Sequence, residues 1–76
     1  MKFVVNYESE VSTKRTKALT WREAHTLIIE ELNESENVLD FDVSCAKNDN
    51  NKFYKLMSFK RQTGIFTETV TMSMIR

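Results

Sequence analysis

Residues 20–33 read Thr-Trp-Arg-Glu-Ala-His-Thr-Leu-Ile-Ile-Glu-Glu-Leu-Asn, and the fold turns on this stretch. Thr20 and Glu23 stand at the spacing of a capping box, in which each side chain accepts a hydrogen bond from a backbone N–H at a helix start. Leu19 and Ala24 flank that start at the spacing of a hydrophobic staple. Trp21, Ala24, Leu27, Ile28 and Leu32 then recur at steps of three and four, which on an α-helix makes one apolar stripe that another layer must cover. Outward from the helix, both flanks read as strand.

Upstream, Lys2 to Glu8 alternates, with Phe3, Val5 and Tyr7 on one face, as a half-buried strand does. Residues 9–16 are polar and carry no hydrophobic period, and Val11 to Ala18 is read as the short, irregular return arm of a loose hairpin. Downstream, Val38 to Lys47 sends Leu39, Phe41, Val43 and Cys45 one way and Asp40, Asp42 and Ser44 the other. Asn48 to Asn51 is a turn, because Asn and Asp tolerate left-handed backbone and bond to nearby N–H groups. Lys52 to Arg61 is a further strand, Gln62-Thr63-Gly64 a turn, and Ile65 to Ile75 the last strand. The chain has no proline to bar these strands from central pairing. The predicted fold is α+β: one α-helix packed on a mainly antiparallel sheet of four to five strands, as one domain over residues 1–76.

The strand 52–61 carries apolar residues on both faces, so register must decide its orientation. A four-residue loop at 48–51 pairs Lys47 with Lys52 and sets Tyr54 opposite Cys45 and Leu56 opposite Val43. A three-residue loop at 62–64 pairs Arg61 with Ile65 and sets Leu56 opposite Val70 and Tyr54 opposite Met72. Both place Tyr54 and Leu56 against the helix and Phe53, Lys55, Met57 and Phe59 on the open face, beside Asp40, Asp42, Thr67, Thr69, Thr71 and Ser73. A one-residue slip inverts the result. Phenylalanines on an otherwise Thr-rich open face are expected to form a contact surface for a protein partner or a second copy in a homodimer. They could alternatively stack unpaired bases.

The 76 residues carry 11 Lys and Arg against 11 Asp and Glu. The zero balance argues against a chain that wraps nucleic acid, whose affinity comes mainly from phosphate contacts. The charge is unevenly spread. Lys14, Arg15 and Lys17 form a short basic cluster, read either as solvated or as a grip on an anionic surface. Glu30, Glu31, Glu34 and Glu36 crowd the helix C-terminus, where the macrodipole favours cations. That acidic group is either solvated surface or a patch kept for a basic partner. The last third turns basic again, through Lys52, Lys55, Lys60, Arg61 and Arg76.

One cysteine excludes an internal disulfide and fits a reducing compartment. No run of about 18 apolar residues is present to span a membrane, and the first residues turn polar too soon for a signal peptide. A cytoplasmic protein is expected. Cys45 is placed on the core face, where a thiol behaves as a small hydrophobe. His25 has no second histidine at a ligand spacing, and Asp40, Asp42 and Glu36 alternate too openly for a firm cation site. The one glycine forms no phosphate loop. No catalytic residues, cofactor or metal are expected, and the chain is read as a non-enzyme.

The order strand, basic polar connector, Lys17-Ala18-Leu19-Thr20 cap, helix with Ala24 in its first turns, then three antiparallel strands resembles small phage-encoded anti-CRISPR proteins. The type I-F inhibitors that bind the backbone of the surveillance complex are the nearest kind. The resemblance is architectural and spans residues 3–75; the acidic segment 30–42 departs from it. It implies a non-enzymatic inhibitor acting in a host cytoplasm on a CRISPR-Cas or other defence ribonucleoprotein, with Lys14, Arg15 and Lys17 at the positions of functional basic residues.

Overall fold

A computed structural model of the chain describes residues 1–75; Arg76, counted above in the basic last third, lies outside them. The elements are β1 (Lys2–Glu8), β2 (Thr13–Arg15), α1 (Trp21–Glu34), β3 (Val38–Lys47), β4 (Phe53–Thr63) and β5 (Phe66–Ile75). The strands form one sheet in the order β2-β1-β5-β4-β3, every neighbour antiparallel, with α1 packed across β1, β5 and β4. This is the α+β architecture expected, with the fifth strand supplied by β2.

The helix begins as its sequence dictates. Thr20 Oγ1 accepts from the Glu23 N–H at 3.1 Å, and Glu23 Oε1 accepts from the Thr20 N–H at 2.9 Å. Ala24 and Ile28 are fully buried, and Leu19, Trp21, Leu27 and Leu32 pack around them. The connector before the helix keeps to the edge of β1: Phe3 and Leu19 exchange backbone hydrogen bonds at 2.8 and 2.7 Å, and the Thr16 N–H donates to the Val5 carbonyl at 3.1 Å. The loose hairpin thus fixes where the helix starts.

Both hairpin registers differ from expectation. Asn48 Oδ1 accepts from the N–H groups of Asn50 and Lys52, each at 2.9 Å, and Asn51 is left-handed at φ 61°. This side-chain-built loop takes in Lys52, so Lys47 pairs with Phe53. At the other end Thr63 pairs with Phe66 across Gly64-Ile65. Gly64 has φ 62°, as the first position of a II′ turn requires, and nothing lies within 4 Å of where a Cβ would stand, so conformation alone asks for glycine. The first register is off by one residue and the second by three. Both errors are odd, so both reverse β4, and their agreement with each other was no safeguard.

Phe59 therefore pairs with Phe41 and Val70, and Met57 with Val43. Phe59 and Met57 lie in the helix-side core with Phe3, Val5, Ala24, Ile28, Val70 and Met72, and Phe59 is only 2% exposed. Tyr54 and Leu56, expected at the centre of that core, are half-buried at its margin, where the Tyr54 ring meets Phe3 edge-on at 5.1 Å. The face away from the helix is mostly polar, with Val4, buried at 4% exposure, as an apolar exception. Ser58 and Lys60 stand there beside Thr71 and Thr69, and Asn6 Nδ2 donates to Ser73 Oγ at 3.0 Å. The aromatic open face that the expected register created does not exist.

Candidate interaction surfaces

β4 pairs with β5 only from Ser58 onward, while the β3–β4 ladder runs out to Lys47 and Phe53. The hairpin end thus projects, and the molecule measures 42 by 19 by 17 Å. Phe53, at the base of the turn, is 67% exposed. Lys47 Nζ stands 5.9 Å from its ring centre, and Lys52 Nζ stands 5.5 Å from that of Tyr54. Trp21 reaches over from the first turn of α1: its Nε1 donates to the Lys55 carbonyl at 2.9 Å, and its ring stacks on His25 at 4.6 Å. Trp21, Lys52, Phe53, Tyr54 and Lys55 line an open depression between helix start and hairpin end. Rings with ammonium groups held nearby can take an apolar or flat group and neutralise an anion in one contact.

Of the residues expected to touch a partner, Phe53 and Lys55 are exposed at this end. Met57 and Phe59 are not surface residues, because the reversed register seats them under the helix. Lys14 and Arg15 lie on β2 and Lys17 on the connector after it, all exposed. They sit at the sheet edge opposite β3, so the fold does not gather them with Phe53 into one surface.

The acidic group divides in the same way. Glu30, Glu34 and Glu36 are exposed. Glu31 belongs to the interior side of the helix end, where Arg61 Nη1 contacts its carboxylate at 3.2 Å and Ser35 Oγ at 3.1 Å. The other side of the Arg61 guanidinium donates twice to Glu68 Oε1, at 2.9 and 2.6 Å. A cation from β4 thus supplies what the last turn of α1, with no basic residue of its own, lacks. Beside it, burial and then a hydrogen bond to the Glu31 carboxylate push the Tyr7 phenol well above its ordinary value of 10.0. The unfolded chain then loses this proton before the folded chain does. The stability it contributes is complete below that ordinary value and declines as pH rises through the folded one. Melting temperature followed into the alkaline range should fall more steeply for the wild type than for Tyr7→Phe; parallel curves would remove this coupling.

The apolar residues the sequence reading missed as surface lie on β3. Phe41 and Val43 do point to the helix side of the sheet, opposite Phe59 and Met57, but α1 packs on β1, β5 and β4 and leaves the edge strand uncovered. Phe41 and Val43 are each 46% exposed, Leu39 is 58% exposed, and Cys45, expected in the core, is exposed as well. The usable signal was length: a sheet of five strands is too wide for one helix about 10 Å across. Among the described residues no group of three or more His, Cys, Asp or Glu side chains is placed to hold a metal ion. No helix among them is long and apolar enough to cross a membrane. No family model matches the chain, and no curated protein or solved structure matches it significantly.

Proposed function

We propose that this chain is a small non-enzymatic interaction protein that docks through the free end of its β3–β4 hairpin on an anionic surface of a protein partner and blocks it. An inhibitor of a host defence complex, the role implied by the resemblance to anti-CRISPR proteins, is a function of this kind. The observation that carries the reading is the exposure of Phe53 beside Trp21, between Lys52 and Lys55, at an end of the molecule that no other element covers. An aromatic anchor ringed by flexible cations is the composition of an interface centre with a polar rim. The basic edge at Lys14, Arg15 and Lys17 offers a second, separate anionic contact.

The same residues favour a second reading, a single-stranded RNA or DNA module in which Phe53 and Trp21 stack bases. The balanced net charge weighs against it, as does Asp49 in the same turn. Salt separates the two: a generic oligonucleotide bound at low ionic strength and released steeply as salt rises supports the second reading. For the first, a partner recovered from host lysate should bind Phe53→Ala about 10- to 30-fold more weakly, the loss typical of an interface anchor. Lys55→Glu should weaken it further. Full binding by both variants, each melting like the wild type, would show that the hairpin end is the wrong surface.

A further inference from the structure

The ladder between β4 and β5 begins only at Ser58, although β4 starts at Phe53 and β5 runs on beside β1 to Ile75. The alternation of an antiparallel ladder fixes which backbone groups this leaves over. Thr63 and Phe66 flank a two-residue turn and so exchange hydrogen bonds, which aims the N–H and C=O of the odd residues of β4 toward β5. The opposite side of the strand agrees. The carbonyl of Lys52, an even position, accepts from the Asn48 N–H at 3.0 Å, and the Gln62 N–H donates to the Asn37 carbonyl at 2.9 Å. Phe53, Lys55 and Met57 therefore turn their backbone polar groups toward a strand that has diverged.

Trp21 occupies the middle of that gap. Its Nε1 donates to the Lys55 carbonyl at 2.9 Å, on the side to which the alternation turns that carbonyl. The helix sets the ring in place. Trp21 follows directly on the Thr20 cap, and His25, one turn on, stacks against the indole at 4.6 Å with the two planes 19° apart. Leu56 and Tyr54 also rest on the margin of the core, the Tyr54 ring against Phe3. Apolar burial is non-directional, whereas a hydrogen bond holds a narrow range of angles. The angle matters because the hairpin end is a lever. A strand rises about 3.3 Å per residue, so Phe53 stands about 16 Å beyond Ser58, and a swing of about 15° there carries its ring about 4 Å. A binding surface tolerates about 0.5 Å.

We infer that Trp21 is the positioning residue of the hairpin end: its indole N–H stands in for the missing β5 ladder and sets the angle at which Phe53, Lys52 and Lys55 are presented. The value of that angle for docking rests on the function proposed above. The angle itself is measurable without a partner, so the two can fail separately.

A pair of spin labels reads it. Cys45, the one cysteine, is exposed on β3 opposite Lys55, and Thr26 is exposed on α1. Labels at Cys45 and at Thr26→Cys should give one narrow distance distribution when Trp21 is intact. Benzothienylalanine in place of Trp21 keeps the bicyclic ring and puts sulfur where the N–H was. It should broaden the distribution by about 4 Å, the swing of the lever, with the melting temperature little changed. Fluorotryptophan, which retains the N–H, should leave the distribution narrow. A distribution as narrow without the donor as with it would overturn the inference. So would a broad distribution in the chain with Trp21 intact, or equal broadening by both analogues, which would assign the angle to ring packing in place of the hydrogen bond.

Discussion

Phe59→Ala is expected to leave the chain largely unfolded at physiological temperature, while Phe53→Ala, on the same strand, melts like the wild type. Phe59 is 2% exposed and packs among Phe3, Val5, Ile28, Val70 and Met72, with Phe41 and Val70 as its cross-strand neighbours. Truncating a buried phenylalanine removes its transfer free energy and leaves a cavity, together about 3–5 kcal/mol. A domain of this size without a disulfide rarely has more than about 3–5 kcal/mol to lose. Phe53, two-thirds exposed, should cost no more than about 0.5 kcal/mol. Urea or thermal denaturation followed by circular dichroism decides it, with Ile28→Ala as a second probe of the same contact from the helix side. If Phe59→Ala melted within a few degrees of the wild type, the placement of β4 would be wrong. Loss of partner binding by Phe59→Ala says nothing about docking, because the variant lacks the fold that presents the surface.

The helix and its cap were legible because their signal is local. Thr20, Glu23 and the stripe from Trp21 to Leu32 need only the 3.6-residue period and one reciprocal hydrogen-bond pair, and both are present. The faces of β3 and β5 were legible as well, since each alternates without ambiguity. β4 was not, because its hydrophobic face changes part-way along. Its odd positions bring Met57 and Phe59 together near the β5 ladder, whereas its even positions bring Tyr54 and Leu56 together near the free end. The helix covers the part that pairs with β5. There the alternative orientation would turn Ser58 and Lys60 inward, and an unpaired buried ammonium costs far more than an exposed phenylalanine. The residues that each orientation buries therefore discriminate between the two registers, where those it exposes do not. The turn lengths could not, since Asn48 recruits Lys52 into its loop by a side-chain hydrogen bond that the turn composition does not specify.

The candidate surface was half legible for the same reason. By alternation Phe53 and Lys55 belong to an outward face together with Met57 and Phe59. They are exposed for a different cause, their position beyond the reach of the helix. Parity sends Phe41 and Val43 to the core, which is right about direction and wrong about cover. Alternation tells which way a side chain points; whether anything lies above it depends on the width of the opposing layer.

Arg61→Met is expected to lower stability by about 2 kcal/mol, or about 8–16 °C in melting temperature for a domain of this length. The Arg61 side chain is 17% exposed and those of Glu31 and Glu68 are 23% and 21% exposed, so the three side chains are mostly, though not wholly, withdrawn from water. Methionine keeps much of the apolar stem but leaves two carboxylates facing one another with no cation between them. It also strips the end of α1 of its only basic neighbour among the contacts described. Removing one partner of a fully buried pair typically costs about 3–5 kcal/mol; the residual exposure here reduces that through solvent screening. Adding Glu68→Gln to Arg61→Met should recover part of the loss, since the remaining carboxylate then has no like charge beside it. A melting temperature unchanged in Arg61→Met would mean that water serves the two carboxylates as well as the arginine does. Because Arg61 is committed on both sides to structural partners, a charge-reversal test of anionic binding belongs at Lys55 or Lys52. At Arg61 the same substitution would measure the collapse of the clamp that joins α1 to β4 and β5.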